Sequence, residues 1–125
     1  MKRALSLWLP VASWMGLIFF LSSKSSLGRV GDVPDWITHG GAYMTLCWLL
    51  CRAIAGGLRE LSVLGTALAV AIATLYGISD EYHQSFVPGR DSSWGDVAKD
   101  FGGATLAAFA FLRATRRRLR QGRMA

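Results

Sequence analysis

The chain has 125 residues, of which 52% are hydrophobic and only 18% charged, with a mean hydropathy of +0.32 and a formal net charge of +6. A domain this short cannot hide so much apolar surface in water. The apolar residues also gather in long runs, which argues against an ordinary soluble enzyme and points to lipid as the solvent.

In chain order, a basic head with Lys2 and Arg3 precedes an apolar run that predicts a first membrane helix over 5–22. A signal peptide would need a small-residue cleavage site, and Ser22-Ser23-Lys24 is a poor one. Three more apolar segments follow, so a retained helix is expected. Pro10 within it is tolerated where neighbouring helices satisfy the freed carbonyl.

A Ser- and Gly-rich loop leads to Pro34, a residue suited to a first helical turn, and to a second helix over 35–55. Asp35, His39 and Tyr43 recur every four residues, so a helix stacks them on one face. Gly40 and Gly41 beside them would allow another helix to come close.

A third helix is expected over 61–81. Its Gly65, Ala69, Ala73 and Gly77 form a small-residue stripe suited to backbone-to-backbone packing. One further turn in this register reaches Glu81, which predicts an inward-facing carboxylate.

Between the third and fourth helices the chain is crowded with Asp80, Glu81, His83, Gln84, Arg90, Asp91 and Asp96. Ionisable groups beside membrane-length apolar runs usually face a protein interior or water-filled cavity and mark function. Pro88-Gly89 signals a tight turn. Ser93-Trp94-Gly95-Asp96 reads as a capping box opening the fourth helix, expected over 95–112, with Asp96 and Asp100 on one face.

The tail, 113–125, carries Arg113, Arg116, Arg117, Arg118, Arg120 and Arg123. A pI near 10.0 can signal nucleic-acid binding. Arginines directly after a membrane helix are better explained as a topology signal that also attracts anionic lipid, so no nucleic-acid partner is expected. With four spans, both termini and the 52–60 connection share one side, which collects most of the basic residues. The expected architecture is therefore an all-α, four-helix transmembrane bundle forming a single domain in the plasma (inner) membrane. Both termini are cytoplasmic, and the polar cluster lies at the extracytoplasmic face.

Asp35-x-x-x-His39-x-x-x-Tyr43, the string from Asp80-Glu81 through His83-Gln84-Ser85-Phe86-Val87-Pro88-Gly89-Arg90, and Asp96-Val97-x-x-Asp100-x-x-Gly103 together resemble the VanZ-like family of small bacterial membrane proteins. The resemblance covers about 35–108. It departs from the family pattern at Trp36, where a Lys is common, and at Asp100, where an Asn is usual. It implies an integral membrane protein of the cell envelope, linked in some members to resistance against teicoplanin-type glycopeptides.

Two function classes follow. In the first, the pocket binds a membrane lipid, a lipid-linked cell-wall molecule or a lipoglycopeptide. In the second, a membrane hydrolase or transferase uses Glu81, His39 and Asp96 as acid–base groups and Arg90 as an anion clamp. Asp35, Tyr43, His83, Gln84, Arg90, Ser93 and Asp100 are the ligand-contacting candidates. His39, His83, Glu81 and Asp96 are of the types that bind zinc, but they come from three segments without a compact motif. The sequence accordingly predicts no metal or cofactor. Cys47 and Cys51 read as small apolar fillers.

Overall fold

The computed structural model describes residues 2–25 and 34–122; of Asp35 only the backbone is described. Arg29, Asp32 and Arg123 lie outside the described residues. Within them the chain is all-helical, with α1 Lys2–Ser22, α2 Asp35–Ile54, α3 Val63–Gln84 and α4 Trp94–Gly122. Helix α1 runs through Pro10 unbroken.

Helix α4 continues well past the expected end at residue 112. Arginine is a good helix former, and Thr115 is buried and hydrogen-bonds back to the Phe111 carbonyl at 2.9 Å. The arginine-rich stretch as far as Gly122 is thus the last turns of a helix.

Small residues set the packing. Helices α2 and α4 make the most extensive contact, α3 packs against both, and α1 lies against α2 and α3. The closest approach is at Gly40 and Gly103, where a Cβ on Gly103 would come within 2.9 Å of the Gly40 Cα. Gly41, by contrast, faces open space. On α3 the stripe Ala69, Ala73, Gly77 is buried, and Glu81 continues it inward. Tyr43, Leu46, Cys47, Leu50 and Cys51 of α2, Ala104, Ala107, Ala108 and Phe111 of α4, and Leu7, Val11 and Ile18 of α1 belong to the same core. The two cysteines are unbridged.

Along its middle turns helix α1 is tied by side-chain hydrogen bonds as well as by packing. Trp14 Nε1 donates to the Ala42 carbonyl at 2.9 Å, and the Tyr76 hydroxyl donates to the Met15 carbonyl at 2.7 Å. Both side chains are half-buried, and indole and phenol donors taken out of water need such partners.

Helices α1 and α3 are long and apolar enough to cross a membrane. Only 17% and 22% of their most apolar windows are buried, and each helix turns a run of large apolar side chains outward. Leu9, Phe20, Leu64, Leu75 and Phe109 are among many large exposed apolar residues, a surface that water would penalise.

The two ends of the molecule differ in charge. At one end, Arg3 Nη2 donates to the Gly56 carbonyl, Arg52 Nη1 donates to the Ser6 carbonyl, and Arg116 faces Glu60 at 3.7 Å. The opposite end gathers the C-terminal turns of α1 and α3 and the N-terminal turns of α2 and α4.

Candidate functional site

Two polar clusters occupy that opposite end. The first joins α2, α3 and α4. His39 Nδ1 lies 3.3 Å from Asp100 Oδ1, and the Asp100 side chain is only 1% exposed. Glu81, 6% exposed, accepts a hydrogen bond on Oε2 from the Ser93 backbone N–H at 2.9 Å. Its Oε1 has no hydrogen-bond partner among the described residues. The Asp96 carboxylate is held by Lys99 Nζ at 2.5 Å. One donor atom each from His39, Glu81 and Asp96 lies within 4.8 Å of the other two.

This geometry corrects the capping-box reading. Ser93 does cap α4, its Oγ accepting from the Gly95 N–H at 3.0 Å. The acid that returns to the Ser93 N–H is Glu81, from α3, because Asp96 is turned to Lys99. Glu81 thus fastens the start of α4 to the end of α3.

The second cluster joins α1 to α3 and was largely missed in the sequence. Asp80, 6% exposed, accepts from Ser22 Oγ at 2.7 Å and from Gln84 Nε2 at 2.9 Å. His83 Nε2 is 3.0 Å from Ser23 Oγ, and its ring lies 4.5 Å from that of Phe19. Arg90 differs from the expected clamp: Nε and Nη2 donate to the Lys24 and Leu21 carbonyls, closing the C-terminal end of α1. A helix end exposes such orphan acceptors. The available signal was the spacing of Asp80 and Gln84 on one helical face; nothing local in the sequence pointed to Ser22.

The candidates therefore divide. His39, Glu81, Ser93, Asp96 and Asp100 come together, whereas His83, Gln84 and Arg90 belong to the second cluster. Tyr43 is buried beneath the first, its hydroxyl without a partner among the described residues. A Cβ on Gly77 would sit 3.3 Å from the Tyr43 ring and 3.0 Å from Asp100 Oδ2, so the missing side chain makes room for both. The Asp35 side chain lies outside the described residues.

Truncating Asp80 tests the second cluster. Asp80→Ala leaves the Gln84 amide without its acceptor and the Ser22 hydroxyl with only the Phe19 carbonyl, 3.0 Å away, and is expected to lower stability by about 1–3 kcal/mol. Unfolding in detergent measures this; an unchanged midpoint would show that water replaces the carboxylate.

Beside the first cluster an open cleft of about 240 Å³ separates the end of α3 from the start of α4. Ile78, Tyr82, Trp94 and Val97 supply its apolar walls, and Glu81, Ser85, Ser92 and Ser93 its polar ones. Fold and site define a helical protein with two candidate membrane-crossing helices and a polar cluster at one end. Compared with protein-family models, curated proteins and solved structures, the chain matches none.

Proposed function

We propose that this is a VanZ-like, multi-pass plasma-membrane protein whose α3–α4 cleft binds the polar head of a membrane lipid, a lipid-linked cell-wall molecule or a lipoglycopeptide. In this reading all four helices cross the bilayer and both termini are cytoplasmic. The end carrying Lys2, Arg3, Arg52, Arg59 and the α4 arginines faces inward, as the positive-inside rule requires, and the cleft opens outward. Teicoplanin susceptibility is the corresponding phenotype to score.

The observation that carries the reading is Glu81 Oε1, a buried acceptor with no hydrogen-bond partner among the described residues, on a residue that lines the open cleft. Buried polar atoms are nearly always satisfied, so a native structure that leaves one bare beside an opening invites a ligand there. The cleft suits a head group in size, while the apolar outer faces of α3 and α4 would lie along the acyl chains.

The test combines topology with cross-linking. Ser92→Cys should be labelled by an impermeant maleimide added to intact cells, and Arg120→Cys only after lysis. A photoactivatable phosphatidylglycerol analogue should cross-link near Tyr82 and Trp94, and Val97→Trp, which fills the cleft, should remove that product. Reversed labelling, or cross-links indifferent to Val97→Trp, would sink the reading.

The enzyme alternative draws on His39, backed by Asp100 and facing Glu81 and Asp96, an arrangement able to move a proton to or from a hydroxyl or water. Glu81→Gln would then abolish turnover of a lipid-linked substrate while leaving its binding within a few fold.

A further inference from the structure

We propose that His39, Glu81 and Asp96 hold a divalent first-row metal ion, with Zn²⁺ the best fit, between α2, α3 and α4, behind the point where Glu81 reaches the α3–α4 cleft. Three helices each contribute one donor, and the donor atoms lie within 4.8 Å of one another. An imidazole nitrogen and two carboxylate oxygens suit zinc or manganese. Three protein ligands leave a coordination position open for water or an incoming group.

Proximity alone would not carry the inference, and two further observations do. Glu81 is 6% exposed and its Oε1 takes no hydrogen bond among the described residues. A bare carboxylate oxygen in such a place is costly, and a bound cation removes that cost. Behind His39, the buried Asp100 sets Oδ1 3.3 Å from Nδ1. A carboxylate on one ring nitrogen is the arrangement that orients an imidazole to give its other nitrogen to a metal.

Other polar groups of this end are excluded by their contacts. His83 is engaged with Ser23 and Phe19, and Asp80 with Ser22 and Gln84. Lys99 contacts Asp96 Oδ1 and offsets part of its charge, so the ion would draw on the other oxygen of that carboxylate.

The inference rests on the cleft reading above and specifies what a head group meets there. Glu81, ionised and without an ion, repels a lipid phosphate in the cleft it lines, and Asp96 stands close behind it. A dication between them reverses the local sign and makes the phosphate a ligand for the open position.

Detergent-purified protein, stripped with chelator, is titrated with ZnCl₂ against a chromophoric competitor, with MgCl₂ as comparison. One Zn²⁺ per chain is expected, with much weaker Mg²⁺ binding. Glu81→Gln, Asp96→Asn and His39→Gln should each weaken Zn²⁺ binding by at least about tenfold, and Asp100→Asn by about 10–100-fold. His83→Gln should bind as the wild type does.

Co²⁺ loaded into the unaltered chain gives a readout independent of any variant's folding: d–d absorption that saturates at one equivalent and is displaced by Zn²⁺. Absence of stoichiometric Zn²⁺ and Co²⁺ binding in the wild type overturns the proposal. So does binding that survives Glu81→Gln combined with Asp96→Asn, or that is lost in His83→Gln. Cross-linking of the phosphatidylglycerol analogue with and without Zn²⁺ separates the two readings. Zinc binding without cross-linking retains the ion and removes the lipid. Cross-linking blocked by Val97→Trp in protein that binds no zinc retains the cleft and removes the ion.

Discussion

Gly103→Ala is expected to destabilise the protein by about 1–3 kcal/mol, the usual cost of overpacking a close contact, and Gly103→Leu to prevent α2 from docking on α4. The Gly40 backbone already occupies the position that a Cβ on Gly103 would need. Two backbones cannot yield as a flexible side chain can, so the helices must separate along the most extensive contact in the molecule. Separation would also pull His39 on α2 away from Asp100 on α4. The control is Gly41→Ala: with open space at that position, alanine should leave stability unchanged or raise it slightly through better helix propensity. Unfolding by SDS titration measures both. Equal effects from the two substitutions would show that the Gly40–Gly103 contact does not set the helix spacing.

The second large effect is expected from His39→Ala. Asp100 is 1% exposed, and the imidazole is its close partner. Removing the imidazole leaves a buried carboxyl without that partner, at about 1–3 kcal/mol. Asp100→Asn should cost less, because a neutral amide tolerates burial better. In the double variant the loss should fall short of the sum, with a coupling of about 0.5–3 kcal/mol. The cycle is measured in chelator, so that the residues' own pairing is read without any ion. Strict additivity would mean that the two side chains do not depend on one another.

Much of the helical organisation was legible because helix periodicity is local. The stripe Gly65, Ala69, Ala73, Gly77 predicted a packing face, and continuing it by one turn put Glu81 inward, where it is found. The turn at Pro88-Gly89 was equally local: Gly89 has a φ of 80°, and Arg90 N–H closes onto the Val87 carbonyl. The extension of α4 was obscured because its arginines read as a topology signal, although the same residues favour helix.

The polar groups were less legible in their pairings than in their positions. Asp96 and Ser93 fit a local motif, yet the partner of the Ser93 N–H comes from another helix. Arg90 carries the charge of an anion clamp, but the carbonyls at the end of α1 claim it. Tyr43 follows His39 on the same face of α2, but buries itself beneath the cluster.

The sequence by itself determined that the chain is helical, that Ala69, Ala73 and Gly77 form a packing face of α3, and that the titratable groups are concentrated at the opposite end from most of the arginines. These follow from composition and from the 3.6-residue repeat, which one segment expresses without reference to any other. Only the tertiary structure decided which acid meets which base. It divided one crowded stretch into the Ser22–Asp80–Gln84 clasp and the His39–Glu81–Asp96–Asp100 site. Such pairings depend on the relative rotation and height of separate helices, which for α2 and α4 is fixed where Gly40 meets Gly103.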